Sequence, residues 1–219
     1  IELKHITKRF GAVVANDGID LTINYGEILS LLGENGSGKT TLMNMLAGIY
    51  FPDGGEILIG GKPVSIRSPK DAVRYGIGYL SEDRKRYGLC LNLSVADNTV
   101  LPSLEQIFKG PFVHDKKAQR LAQEHAEQIR TKTPSVRARV GSLSGGEQSR
   151  LRLCMLMDDE INLLILDEPT NHLDIASREW IEEAVESYDG ALLFVSHDRY
   201  FINRFATRIW EIADGTVTD

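Results

Sequence analysis

Between the apolar run from Glu27 to Leu32 and a helical stretch that begins at Lys39, the chain reads Gly33-Glu34-Asn35-Gly36-Ser37-Gly38-Lys39-Thr40. Glycines at three of these positions let backbone N–H groups turn inward, and a helix starting at the loop's end adds the positive end of its dipole. A strand, this loop and a helix, in that order, form the context in which the pattern cradles phosphate oxygens. Lys39 supplies a mobile positive charge for the outer phosphates, and Thr40 offers a hydroxyl to a magnesium ion. A glycine-rich turn without a ligand would need neither flank.

Around the loop, short apolar runs alternate with helical patterns. Strands are expected at Ile1–Ile6, Ile19–Ile23, Glu27–Leu32, Glu56–Ile59 and Ile77–Leu80, and a helix at Lys39–Ala47. Strands return at Ile161–Leu166 and Ala191–Val195. The helix between them is capped by Asp174, ends at Gly190 and turns Ile181, Ala184, Val185 and Tyr188 inward. Strands alternating with helices imply an α/β fold with a parallel sheet covered on both faces. Residues 83–157 read as mostly helical, with His125 on an apolar stripe as a packed histidine. The expected division is therefore a catalytic α/β lobe of residues 1–82 and 158–219, interrupted by an α-helical lobe of residues 83–157.

Composition narrows the classes. The 219 residues are 42% apolar and 26% charged, which suits one large domain with an inserted lobe. A net charge of −6 gives no global attraction to nucleic acid or an anionic membrane. No run approaches the roughly 18 apolar residues of a membrane span, and no signal peptide is expected ahead of the strand at Ile1. Cys90 and Cys154 have no CxxC partner and sit among apolar residues, so both are expected to be buried reduced thiols. A cytoplasmic location follows, and Arg84-Lys85-Arg86 reads as a solvated charged turn.

Two carboxylates, Asp167 and Glu168, close the apolar run from Leu163 to Leu166, where sheet enzymes bind ligands. Asp167 is placed to hold magnesium, and Glu168 to orient or deprotonate an attacking water. Leu143-Ser144-Gly145-Gly146-Glu147-Gln148 reads locally as a capping box, Ser144 with Glu147, at a helix start. About a hundred residues after the phosphate loop and shortly before the acidic strand, it also resembles the ABC signature motif.

The resemblance to ABC-type ATP-binding domains extends over essentially the whole chain. It implies a P-loop NTPase fold with a mainly parallel sheet, an N-terminal antiparallel β subdomain and an inserted α-helical subdomain. It also implies ATP and magnesium as ligands, and a second ABC domain as head-to-tail partner. The first domain's Gly33, Asn35, Gly36, Ser37, Gly38, Lys39, Thr40 and Thr41 would hold one nucleotide. Ser144, Gly145, Gly146 and Glu147 would meet the γ-phosphate of a nucleotide held by the partner, and Phe10 would stack on adenine. Asn171-His172-Leu173-Asp174 resembles the loop at the dimer interface, and His197 the switch histidine beside the γ-phosphate. Where the family usually carries a glutamine, this chain has Glu82, which would reach magnesium as a carboxylate beside Thr40 and Asp167. The expected catalytic set is Glu168, His197 and Lys39.

The resemblance is not uniform. Residues from Ile1 to about Gly78 (KRFGAVVANDGIDL, SPKDAVRYGIG) look like the first ATPase half of bacterial sugar or nucleoside importers. From Tyr79 to about Gly141 (SEDRKRYGL, TKTPSVRARVG) they look like the second half of the same importers. From Ser142 onward (LSGGEQSRLRLCMLM, LDEPTNHLDIASREWIEE) they look like ABC-F proteins, which act on the ribosome. Three expectations follow. The first is the ATPase component of a transporter, peripheral at the inner membrane face through membrane subunits on other chains. The second is a cytosolic ABC-F factor, against which stand the absence of a second ATPase domain and of a basic linker. The third is a chimeric or designed ATP binder with no native partner, with which the lack of an initiator Met at Ile1 agrees. Direct nucleic-acid binding is not expected.

Overall fold

The structure is a computed structural model that describes residues 1–82, 89–101, 135–157, 161–171, 173–213 and 215–218. His125, His172 and the run Arg84–Arg86 lie outside these residues. The chain divides into two compact units, one of Ile1–Leu80, Asp159–Pro169 and Glu186–Asp219, the other of Ser81–Asp158 and Thr170–Val185.

The first unit holds two sheets. In the antiparallel sheet, β1 (Glu2–Phe10), β2 (Val13–Thr22), β4 (Gly54–Ile59) and β5 (Lys62–Val64) run in the order β2-β1-β4-β5. β1 does not stop at Ile6 as its alternation suggests. Leu3 and Ile6 are both buried but three residues apart, so the strand needs an extra residue to bring Ile6 back to the core face. The pairing shifts register there, and His5 takes a φ of 51°.

The second sheet runs β10-β9-β3-β8-β7-β6, with β3 (Ile28–Leu32), β6 (Ile77–Leu80), β7 (Leu163–Asp167), β8 (Ala191–Val195), β9 (Arg208–Ala213) and β10 (Thr216–Thr218). All neighbours are parallel except the β9–β10 pair. Every residue of β7 and β8 is buried, as expected of parallel strands covered on both faces. Helix α1 (Lys39–Leu46) buries Leu42, Met43, Met45 and Leu46 in the same core as Leu29, Leu31, Ile165 and Leu193. The short elements α2 (Pro69–Arg74), β5, β9 and β10 are absent from the sequence expectation. So is the helix at Arg199–Phe205, which Asp198 caps by accepting from the Tyr200 and Phe201 N–H groups and which docks Phe201 edge-on against Phe194 at 5.2 Å.

In the second unit, α3 (Val95–Val100) begins with a capping box between Ser94 and Asp97, and α4 (Gly145–Met157) carries the signature residues. Leu89, Val95, Val140, Leu143 and Leu151 form its core among the described residues. α5 (Ile175–Glu186) starts as expected at Asp174, whose Oδ1 accepts from the Ser177 N–H at 2.8 Å. Hydrogen bonds from Ser177 hold that carboxyl below the usual carboxylate range. Residues 170–185 group with this unit because the first turn of α5 packs on α4.

Cys90 corrects one expectation. It is an exposed free thiol rather than a buried one. Leu89 is buried and Leu91 packs on the core, so the alternating chain turns Cys90 outward. The Asn98 side chain then pins its backbone, accepting from Cys90 N–H at 2.8 Å and donating to its carbonyl at 3.0 Å.

Candidate functional site

β3 delivers Leu32 to the loop, and three left-handed glycines, Gly33, Gly36 and Gly38, shape it. Gly33 has φ 143° and Gly38, the residue before α1, φ 100°. A Cβ on Gly38 would strike the Ala15 carbonyl oxygen, so β2 passes too close for any other residue. Asn16, fully buried in β2, donates its amide to the Gly38 carbonyl at 3.3 Å. That carbonyl also accepts from the Leu42 N–H, the first helical bond of α1.

The Lys39 ammonium lies folded against the loop. It donates to the Gly33 carbonyl at 2.6 Å, the Glu34 carbonyl at 2.7 Å and Ser37 Oγ at 3.4 Å. Burial holds its pKa below the ordinary lysine value, while the Glu168 and Asp167 carboxylates pull in the opposite direction. Glu34, Asn35, Gly36 and Thr40 are exposed, and Thr41 is half-buried.

Asp167 ends β7 and is buried, with one carboxylate oxygen, Oδ2, accepting from the Tyr79 hydroxyl at 3.1 Å. Glu168 follows with φ 48°, its N–H bonded to the Val195 carbonyl at 2.9 Å. Its Oε2 accepts from the His197 N–H at 3.2 Å, and its Oε1 lies 3.5 Å from His197 Nε2. The loop, the Asp167–Glu168 pair and His197 thus leave the carboxyl ends of three adjacent parallel strands, β3, β7 and β8. Ligands of open α/β sheets bind at such ends. Phe10, at the end of β1, is 43% exposed, meets Tyr50 edge-on at 5.2 Å and has the Lys8 ammonium 5.4 Å from its ring centre.

The signature residues and Glu82 belong to the second unit. Ser144 is exposed and precedes α4. Its Oγ accepts from the Glu147 N–H at 3.3 Å, while Glu147 Oε2 accepts from the Ser144 N–H at 2.8 Å, which completes the capping box. Gly145 is exposed, and Gly146 is buried where a Cβ would strike Ser177 Oγ. Arg150 ties the same two helices together, donating to the Ala176 carbonyl at 2.6 Å and lying 5.8 Å over the Trp180 ring. Glu82 is exposed and its Oε1 accepts from the Asn171 amide at 3.1 Å. Arg152, on α4, donates to the carbonyl of Ser81 at 2.9 Å and so fixes the backbone just before it.

The residues present suit a nucleotide with a magnesium ion. Gly36 has no heavy atom within 4 Å of where a Cβ would stand, so the loop's crest is open to a phosphate chain. Thr40 and Asp167 are hard oxygen donors. Among the described residues no group of three or more His, Cys, Asp or Glu side chains could hold a metal by itself. Magnesium is commonly held by one or two carboxylates together with substrate phosphates, which is what this donor set allows.

Sequence reasoning passed over Tyr79, Asn16, Arg150 and Arg152. Tyr79 and Asn16 each stand inside a strand, where their contacts depend on the register with a distant segment.

Residues 16–171 match the ABC transporter family. The chain belongs to that family. This ABC domain is 36% identical over 204 residues to a putative ribose/galactose/methyl galactoside import ATP-binding protein of Burkholderia lata, covering 91% of the domain and 40% of that protein. It is 32% identical over 217 residues to a xylose import ATP-binding protein of Geobacillus kaustophilus, covering 97% of the domain and 43% of that protein. Alignments of 204 and 217 residues on a chain of 219 both extend past residue 142, into the stretch expected to resemble ABC-F proteins. The ABC domain spans about two-fifths of the length of these relatives. Among solved structures it superposes on a dimeric ATP-binding cassette in a post-hydrolysis state bound to ADP and phosphate, with a TM-score of 0.80, 25% identity and coverage of 100% of this chain and 96% of that one. A nucleotide-free cassette from an ABC transporter, at TM-score 0.81, 19% identity and coverage of 100% and 89%, shares the fold.

Proposed function

We propose that this domain binds ATP and hydrolyses it with magnesium, working as half of a head-to-tail pair of ABC domains. The pair would power sugar import through membrane subunits carried on other chains. The single observation that carries the reading is the convergence of the glycine loop, the Asp167–Glu168 pair and His197 at the carboxyl ends of β3, β7 and β8. The names of the relatives, import ATP-binding proteins for ribose, galactose and xylose, supply the transport class. Action at the cytoplasmic face of a membrane follows from that class. No helix among the described residues is long and apolar enough to cross a membrane.

In this reading the loop amides and Lys39 receive the phosphate oxygens, with Asn35, Ser37 and Thr41 lining the same loop. Phe10 offers its exposed ring to adenine. Thr40 and Asp167 hold the metal. When bound, magnesium supplies positive charge to the phosphate oxygens. Glu168 orients the attacking water and takes its proton, and His197 beside it hydrogen-bonds the terminal phosphate. Ser144, Gly145, Gly146 and Glu147 present a hydroxyl, backbone amides and a helix N-terminus to the nucleotide of the partner domain.

The test is ATPase rate against protein concentration, with Glu168→Gln alongside. Activity per molecule is expected to rise with concentration, and Glu168→Gln to lower turnover about 100-fold or more while ATP binding persists. A concentration-independent rate would refute the composite site; unchanged turnover would refute the role of Glu168.

A further inference from the structure

We infer that Tyr79 is a positioning residue for the Asp167 carboxylate, and through it for the metal; the inference rests on the function proposed above. β6 and β7 run parallel with Tyr79 opposite Ile165. Side chains alternate along a strand, so Ile165 and Asp167 share one face of β7. A tyrosine on that face of β6 is long enough to reach one step further along, and its hydroxyl donates to Asp167 Oδ2 at 3.1 Å. The other residues of β6, Ile77, Gly78 and Leu80, bring no side-chain donor.

The energetics favour a deliberate contact over an incidental one. Asp167 is only 5% exposed, and a buried carboxylate is costly unless hydrogen-bonded. A hydroxyl donating to a carboxylate makes one of the stronger hydrogen bonds. The Tyr79 ring packs on the buried core that contains Ile165 and Leu163, so the hydroxyl is held by the sheet. It fixes the rotation of the carboxylate and leaves one arrangement of its oxygens to offer a cation. Groups that orient metal ligands in this way commonly matter 10–100-fold for metal affinity.

Tyr79→Phe keeps the ring and removes only the donor. ATP affinity would be measured by calorimetry in EDTA, and Mn2+ affinity of the nucleotide-bound domain by electron paramagnetic resonance, for wild type, Tyr79→Phe, Asp167→Asn and the double variant. ATP affinity without metal is expected to be unchanged by Tyr79→Phe, while Mn2+ affinity falls about tenfold. The losses in the double variant are expected to be less than additive, because the hydroxyl acts through Asp167. Equal loss of metal-free ATP affinity in Tyr79→Phe would make the role merely structural and overturn the inference. Unchanged Mn2+ affinity in Tyr79→Phe, with a loss in Asp167→Asn, would overturn it too while sparing the site. No loss in Asp167→Asn would instead sink the reading of the site itself.

Discussion

Asn16 and Gly38 show how much of the phosphate loop is settled outside it. Gly38 needs its φ of 100° because α1 must start where the loop ends, and Ala15 and Asn16 leave no room for a side chain. Asn16 donates to the Gly38 carbonyl, yet its own Oδ1 is buried with no partner. An orphaned acceptor costs about 1–3 kcal/mol, which offsets the roughly 0.5–1.5 kcal/mol that the donated bond returns. Asn16→Leu, similar in volume, is therefore expected to leave stability within about 1 kcal/mol of wild type. Gly38→Ala adds left-handed strain of about 1–2 kcal/mol and a collision with the Ala15 carbonyl. It is expected to lower the denaturation midpoint clearly, and a midpoint equal to wild type would show that the loop relaxes. The glycine pattern was legible in the sequence because its spacing is local. The part of Asn16 was not, because 22 residues separate it from Gly38.

At the scale of elements, legibility follows burial. β7 and β8 are buried at every residue, so their apolar runs gave the strands directly. β9 is half exposed, and α2 and the helix at Arg199–Phe205 have 6 and 7 residues, too few for periodicity to declare them. Such elements form because the core offers them a place. The link from α5 to β8 has its own fastening. Tyr188, expected to face the core, is half-buried beyond the end of α5 and donates its hydroxyl to the Ile161 carbonyl at 2.9 Å. Burial, with Tyr25 nearby, pushes its pKa from 10.0 up to about 12. A raised folded-state pKa contributes stability that is whole below the unfolded value and lost as pH climbs through the folded one. Between pH 10 and about 12 wild type should thus lose stability that Tyr188→Phe does not. Denaturant midpoints across that window decide it; parallel profiles would show that Tyr188 ionises as freely folded as unfolded.

For the whole molecule, the two halves of the proposed site fall in different compact units: the loop and acidic pair in one, the signature in the other. In a head-to-tail pair, each nucleotide would take its loop from one chain and its signature from the next. Mixing a Lys39→Ala chain with a Gly146→Asp chain should then restore activity that neither has alone, since one of the two composite sites in the mixed pair is intact. Activity that stays absent on mixing, with dimers present by light scattering, would count against shared sites. The sequence by itself determined the loop, the acidic pair, the signature cap and the buried strands, because each is a local pattern of residue type and spacing. Only the tertiary structure decided that Tyr79 meets Asp167, that Asn16 backs Gly38, that Asn171 meets Glu82 and that Cys90 faces outward. Those depend on strand register and helix packing between segments far apart in the chain, which no local pattern records.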